Sequence, residues 1–165
     1  MKHAPQDFAR PPLDVVDRFC LVIATGLGSG YAPVASGTFG TLVAVPFQIA
    51  LAQLSPELNL LSVLGFCAIA MFAGHRAGLY FGASDDGHIV SDEVAGYLVT
   101  MLFVPLSVKT VVAGFLLFRL FDIVKPWPAS YFDKQVHTGI GNVMDDLCAA
   151  VYARIGVALL LAFWP

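Results

Sequence analysis

Two pairs of adjacent acids stand beside long apolar stretches of this sequence. Asp92 and Glu93, in the segment IVSDEVAG, precede an apolar run from Val94 to Phe118. Asp145 and Asp146 stand in the same way before the last apolar stretch. Ionised carboxylates are costly to bury without a partner. Each pair therefore needs a local structural role or a counter-charge.

The local role would be at the start of a helix. Ser91 or Asp92 could cap one helix, with Glu93 complementing its positive N-terminal dipole, and Asn142 could cap the last helix. If the two acidic helix starts lie at the same face of a membrane, as the composition below indicates, they would repel each other unless a cation lay between them. Oxygen ligands without paired Cys or His favour a hard ion, so the expected ion is Mg²⁺.

Positive charge comes from Arg119 and Lys125 in the segment RLFDIVKPWP, which begins at Arg119. Arg119 and Asp122 are three residues apart and share a helix face. Pro126 ends that helix just after Lys125. A surface ion pair with Lys125 reaching to the membrane interface explains these residues. The alternative is a phosphate site, in which Arg119 and Lys125 bind the anion while Asp122 orients one of them or joins the metal ligands.

The segment SGTFGT, residues 36–41, precedes a predicted helix that begins at Leu42. Gly37 and Gly40 permit close backbone approach, and a helix N-terminus can bind an anion. A simple turn or tight helix packing explains the glycines equally well. The Gly-Lys-Ser/Thr of a nucleotide-binding P-loop does not follow.

The composition predicts a membrane protein. Hydrophobic residues make up 58% of the 165-residue chain and charged residues 13%, with a mean hydropathy of +0.76. A soluble fold would have too little polar surface to cover itself. The net charge of −3 provides no basic field, so we expect no nucleic-acid partner. The three cysteines are expected to be free thiols, and His75, His88 and His137 to be polar interface residues.

We expect an all-α fold, a compact polytopic membrane bundle with short, partly broken helices. A polar segment, 1–18, precedes a single domain, 19–165. Apolar length predicts five helical spans: Leu42 to Leu54, Leu58 to Gly74, Val94 to Val104, Val108 to Ile123 and Val143 to Phe163. The stretch from Phe19 to Ala35 is expected to be a further short element broken by glycines, either re-entrant or at the interface.

Alternating spans sort the basic residues onto one side of the membrane. Only Lys109 falls on the other side, so the positive-inside rule makes the basic side cytoplasmic. The residues on that side are Lys2, Arg10, Arg18, Arg76, Arg119, Lys125 and Lys134. The acidic segments, Arg119 and SGTFGT are all expected at this face.

The ordered set SGTFGT, Asp85 with IVSDEVAG, FRLFDIVKPWP and FDKQVHTGIGNVMDD resembles the phosphatidylglycerophosphatase A family over nearly the whole chain. The resemblance implies a bacterial inner-membrane enzyme with its site on the cytoplasmic face. It also implies Mg²⁺-dependent hydrolysis of phosphatidylglycerol phosphate to phosphatidylglycerol and phosphate, a step of phospholipid biosynthesis. Ser36 stands where the family is expected to have proline, and Thr41 where serine is frequent.

The family pattern and the charges together define the expected site. The metal ligands are expected to be Asp92, Glu93, Asp145 and Asp146. The catalytic residues are expected to be Asp85, Asp92, Arg119, Asp122 and Lys125, with Asp85 binding metal or acting as base. The substrate-binding residues are expected to be Gly37, Thr38, Gly40, Arg119, Lys125 and Asp133; the pattern also includes Pro126 and Gly141. Water or an aspartate could be the nucleophile.

Two other functions fit part of the pattern. A transporter or channel could bind a permeating cation with acids spread through the depth of the membrane. A membrane scaffold without catalytic activity could use the acids only as helix caps. The sequence leaves the oligomeric state undetermined.

Overall fold

Seven α-helices and one 3₁₀ helix form the part of the chain that the computed structural model describes, residues 10–164, and this part has no β-strand. The α-helices are α1 (Val15–Ala24), α2 (Ser36–Leu51), α3 (Pro56–Phe81), α4 (Ser91–Thr100), α5 (Val108–Val124), α6 (Ala129–Gln135) and α7 (Gly139–Phe163). The 3₁₀ helix, Ser29–Tyr31, lies between α1 and α2. The predicted all-α class is confirmed. Lys2 and the first half of the polar segment 1–18, residues 1–9, lie outside the described residues.

Two helices are long and apolar enough to cross a membrane. α3 has 26 residues and α7 has 25, and only 33% and 28% of their most apolar windows are buried within the protein. A core helix of a soluble protein would be mostly buried, whereas these helices turn apolar side chains such as Leu61 and Leu159 outward. The outer surface is therefore suited to lipid. α2, α4 and α5 are shorter, with 16, 10 and 17 residues.

Several predicted helix boundaries were wrong. SGTFGT does not precede its helix but forms the first turns of α2, because Ala35 takes a left-handed conformation (φ 51°) and turns the chain there. α3 continues past Gly74 and ends at Gly82, whose φ of 80° provides a left-handed cap. α7 begins at Gly139 with Thr138 as its N-cap, so Asn142 lies inside the helix and does not cap it.

α1 was not predicted as a helix and is held by an ion pair. Asp14 and Asp17 form a capping box at its start. Arg76 of α3 binds both, with Nη2 3.1 Å from Asp14 Oδ2 and 2.6 Å from Asp17 Oδ1. The Asp14 backbone N–H, together with Arg76, lowers the pKa of Asp17. The predicted element 19–35 contains the end of α1, which begins at Val15 and so crosses the predicted boundary at residue 18, and also the 3₁₀ helix.

The bundle is organised around α4 and α7. α4 packs against α2, α3, α5 and α7, and α7 also packs against α3, α5 and α6. Tyr97, Leu98 and Phe118 are buried at the centre of the bundle. A Cβ on Gly96 would overlap the ring of Phe118 and lie 3.2 Å from Cβ of Asp146. The missing side chain therefore lets α4 approach α5 and α7 closely.

The Gly96→Ala variant is expected to lose about 1–3 kcal/mol of unfolding free energy, because the added methyl overpacks the helix crossing. Gly65→Ala on α3 is the matched control, because a Cβ at Gly65 meets nothing within 4 Å. The control should be neutral or stabilising by up to about 1 kcal/mol. Thermal unfolding in detergent would measure both, and equal melting temperatures would contradict the close crossing.

Candidate functional site

One pocket of about 100 Å³ collects eight acidic residues of the twelve in the chain. They come from the loop after α3, the first turn of α4, the end of α5, α6 and the second turn of α7. The eight are Asp85, Asp86, Asp92, Glu93, Asp122, Asp133, Asp145 and Asp146. Lys125 also lines the pocket. Segments that are distant in the sequence therefore meet at one place in the fold.

The acids of α4 do not cap their helix. The N-cap of α4 is Val90, and no side chain makes a capping hydrogen bond there. The prediction that Ser91 or Asp92 caps α4 is therefore wrong. Val90 is fully buried and contacts α2 at Gly40, where a Cβ would lie 2.6 Å from Val90 Cβ. The helix start is held by this packing, while Asp92 and Glu93 line the pocket.

Three carboxylates converge in the pocket. Asp92, Glu93 and Asp146 each offer one oxygen, and these oxygens lie within 4.8 Å of one another. Asp92 Oδ1, Glu93 Oε2 and Asp146 Oδ2 are buried and have no hydrogen-bond partner among residues 10–164. Burial is the main reason that the pKa of Glu93 is raised well above its usual value, and the negative charge of Asp92 adds to the shift. This set of oxygen donors fits a hard divalent cation such as Mg²⁺.

Asp145 lies outside this group of three. Its carboxylate accepts a hydrogen bond from Lys125 Nζ, which also lies 3.2 Å from Asp133 Oδ1. Asp145 and Asp146 are in the second turn of α7 rather than at the helix start that was predicted. The assignment of Asp145 as a metal ligand stays a prediction.

Lys125 is held at a fixed place beside the acids. It is the C-cap of α5 in a left-handed conformation (φ 47°). Burial alone would lower the pKa of Lys125, but attraction to Asp145, with smaller contributions from Asp146 and Asp122, raises it above its usual value. The ammonium group therefore stays charged at neutral pH.

Arg119 forms a second basic wall. It donates a hydrogen bond to Asp122, and its Nη1 lies 3.8 Å from Glu93 Oε1. The side chains of Arg119 and Asp122 are only 15% and 9% exposed, so the interpretation as a surface ion pair is wrong. Arg119 Nε is buried and has no hydrogen-bond acceptor among the described residues. That N–H group could donate to an anion.

The start of α2 reaches this basic wall. A Cβ on Gly37 would collide with Glu93 Oε1 and lie 2.9 Å from Arg119 Nη1. Only a glycine allows the helix to approach so closely. Ser36 lines the pocket, whereas Thr38 and Gly40 are not among the described residues that do. The structure thus brings Gly37 to the site and leaves Thr38 and Gly40 beside it.

The pocket contains residues that the sequence interpretation missed. Asp86, His137 and Asn142 line it together with Asp85. Asn142 donates a hydrogen bond to the carbonyl of Ser84, so it ties α7 to the acidic loop. Adjacency to Asp85 could have indicated Asp86. The sequence interpretation makes Asn142 a helix cap and His137 an interface residue, so it places neither in the site.

Comparisons with known proteins point to one family. The family model for phosphatidylglycerophosphatase A matches residues 22–161. The Escherichia coli phosphatidylglycerophosphatase A is 37% identical over 146 residues, 87% of this chain and 84% of that protein. The Haemophilus influenzae phosphatidylglycerophosphatase A is 36% identical over 148 residues, 87% and 88% of the two chains. A Bacteroides thetaiotaomicron relative, provisionally named a phosphatidylinositol-3-phosphatase, is 37% identical over 84% of this chain and 91% of its own. No solved structure shows a significant match.

The Lys125→Met variant is expected to lose about 3 kcal/mol of unfolding free energy, the low end for a broken buried ion pair, because Asp145 would remain buried without its cation while Lys125 is itself partly exposed. Adding Asp145→Asn to Lys125→Met should restore most of the loss. Lys134→Met, which removes an exposed lysine of α6, is the control and should change little. Thermal unfolding of the four proteins would measure this coupling, and additive effects of the two substitutions would contradict the pairing.

Proposed function

The chain belongs to the phosphatidylglycerophosphatase A family, and we propose that it removes the terminal phosphate from phosphatidylglycerol phosphate in a Mg²⁺-dependent reaction. The observation that carries the proposal is a group of three carboxylates, each with one buried oxygen, beside two basic side chains. Asp92, Glu93 and Asp146 present oxygens without hydrogen-bond partners in the described part of the chain.

Charge balance supports both the ion and the anion. A phosphate that enters a pocket with eight acids is repelled unless cations accompany it. Asp92, Glu93 and Asp146 would hold Mg²⁺. Asp145, the neighbour of Asp146, would be a further ligand. Bound there, the ion would stabilise negative charge on the phosphoryl oxygens.

The basic residues bind and orient the phosphate. Arg119 Nε and the N-terminus of α2 offer N–H donors, and Lys125 contributes a second positive charge. Asp122 accepts a hydrogen bond from Arg119, while Asp133 and Asp145 fix Lys125. These contacts hold the side chains of Arg119 and Lys125 in place before the substrate binds. Less free energy is then needed to organise the site in the transition state.

Asp85 has the role of general base in this proposal. It lines the pocket with the three carboxylates. Its carboxylate would accept a proton from water as the water oxygen attacks phosphorus in line with the leaving group. The bond from phosphorus to the glycerol oxygen breaks, and that oxygen takes up a proton from solvent to give phosphatidylglycerol, while Asp85 returns the proton from the attacking water to solvent.

A membrane site suits a lipid substrate. We place the pocket at the cytoplasmic face of the bacterial inner membrane, because Arg10, Arg18, Arg76, Arg119, Lys125 and Lys134 fall on that side of the predicted topology. The headgroup can then enter from water while the acyl chains stay in the bilayer.

The two other functions have less support. A transporter would need acids along the membrane depth, whereas the remaining acids of the described chain lie at the starts of α1 and α3. A scaffold would use the acids as caps, whereas Val90 and Thr138 occupy the cap positions of α4 and α7.

Mg²⁺ is expected to raise the melting temperature of the wild-type protein. Saturation at about 100 times Kd corresponds to roughly 2.7 kcal/mol of stabilisation. Asp146→Asn should abolish the shift, because it replaces one of the three converging carboxylates with a neutral amide and so removes a negative charge that the cation needs. Glu57→Gln at the start of α3 should retain the shift. A wild-type protein whose melting temperature is the same in Mg²⁺ and in EDTA would contradict the proposed ion site.

Phosphate release from phosphatidylglycerol phosphate tests the activity itself. The wild type should release phosphate in Mg²⁺ and stop in EDTA. Arg119→Lys should lower kcat by about 10²–10³-fold, the usual cost of losing a transition-state donor, and Glu57→Gln should stay active. Phosphatidylinositol 3-phosphate, the lipid that the Bacteroides relative's name indicates, is the competing substrate. Faster release from that lipid would assign the chain to it instead.

A further inference from the structure

An apolar groove of about 220 Å³ lies between α1 with the turn that follows it, α2, α3 and α4. Leu27 is 66% exposed and Phe47 is 48% exposed, so the groove is open to the outside of the bundle. Apart from Gly26, its lining residues are all apolar: Ile23, Leu27, Val43, Phe47, Phe66 and Val94. The groove offers nothing to a polar ligand and suits a hydrocarbon.

The groove and the acidic pocket share two helices. Ser36, Gly40, Val43 and Phe47 recur at helical spacing and lie on one face of α2. Ser36 lines the pocket, and Val43 and Phe47 line the groove. At about 1.5 Å per residue, Val43 lies roughly 10 Å further along the helix axis than Ser36.

α4 also contributes residues to both the acidic pocket and the groove. Glu93 lines the acidic pocket, and the next residue, Val94, lines the groove. Val90, one turn before Val94, is fully buried and packs against Gly40 of α2. A molecule that placed its phosphate in the pocket beside Ser36 and Glu93 would therefore have the apolar groove about two helical turns away along α2.

We infer that this groove binds one acyl chain of the lipid whose phosphate enters the acidic pocket, an inference that rests on the proposed function. In such a lipid the headgroup glycerol, the phosphodiester and the lipid glycerol separate the terminal phosphate from the acyl chains, as about two turns of α2 separate the pocket from the groove. An acyl chain gains little free energy by leaving one apolar environment for another. The groove therefore acts by orienting the lipid, so that the phosphate reaches Arg119 and the three carboxylates in a reactive position.

The test fills the groove without touching the acidic pocket. Val43→Trp should lower kcat/KM for dipalmitoyl phosphatidylglycerol phosphate in detergent about tenfold, because a lost positioning contact acts on the transition state. The slow hydrolysis of the deacylated headgroup, glycerophosphoglycerol phosphate, should not change. Leu116→Trp on α5, where Leu116 is 60% exposed, is the matched control and should leave both rates unchanged.

Each outcome separates the groove from the proposed function. Equal rates for Val43→Trp and Leu116→Trp on the lipid would overturn the groove assignment, as would an equal loss on lipid and headgroup. A wild-type protein that hydrolyses neither would instead refute the proposed function.

A second measurement needs no variant. A substrate analogue with a photoactivatable diazirine on one acyl chain should label Leu27, Phe47 or Phe66 of the wild-type protein, read by mass spectrometry. Label spread evenly over Leu116, Leu120 and the groove would overturn the assignment, because it would indicate ordinary contact with surrounding lipid.

Discussion

The burial of like charges is the constraint on which the rest of this structure depends. Asp92, Glu93 and Asp146 hold carboxylate oxygens within 4.8 Å of one another, and each has a buried oxygen without a hydrogen-bond partner in residues 10–164. Such a group repels itself and loses solvation. Arg119 contacts one member of the group, and Lys125 is engaged by Asp133 and Asp145. A divalent cation is the simplest partner that would satisfy all three carboxylates, and with that ion in place the pocket would accept a phosphate.

The fold meets this constraint through close helix crossings and fixed side chains. Gly37 lets α2 reach Glu93 and Arg119, and Gly96 lets α4 approach Asp146 of α7. Lys125 is positioned by the left-handed turn that ends α5. The site therefore lies mainly near the ends of helices, with Asp85 and Asp86 added by the loop after α3, which suits an arrangement in which small displacements are costly. The apolar outer surface of the same helices leaves the pocket next to the region where a lipid would lie.

The sequence predicted the helical class, most of the apolar helices and the meeting of the acidic segments, because apolar length and charge placement are local signals. The pairing of Arg119 with Asp122 followed from their spacing. Other features depend on tertiary contacts. α1 carries charges that Arg76 of α3 neutralises, and its Asp14–Asp17 capping box differs from the usual Ser/Thr–Glu type. The start of α2 at Ser36 depends on the left-handed conformation of Ala35. The ion pair between Lys125 and Asp145 depends on how α5 packs against α7. α6 has only seven residues and little apolar periodicity.

The central claim is that one cation, held by Asp92, Glu93 and Asp146, lies next to the lipid phosphate. Mn²⁺ can replace Mg²⁺ among oxygen ligands and is visible to electron paramagnetic resonance. The most direct measurement is therefore pulsed electron–nuclear double resonance on the protein with Mn²⁺ and a non-hydrolysable phosphonate analogue of phosphatidylglycerol phosphate. The account predicts a ³¹P hyperfine coupling in the wild-type protein that is lost in Asp146→Asn. Bound Mn²⁺ without that coupling, or a coupling that Asp146→Asn leaves unchanged, would contradict it.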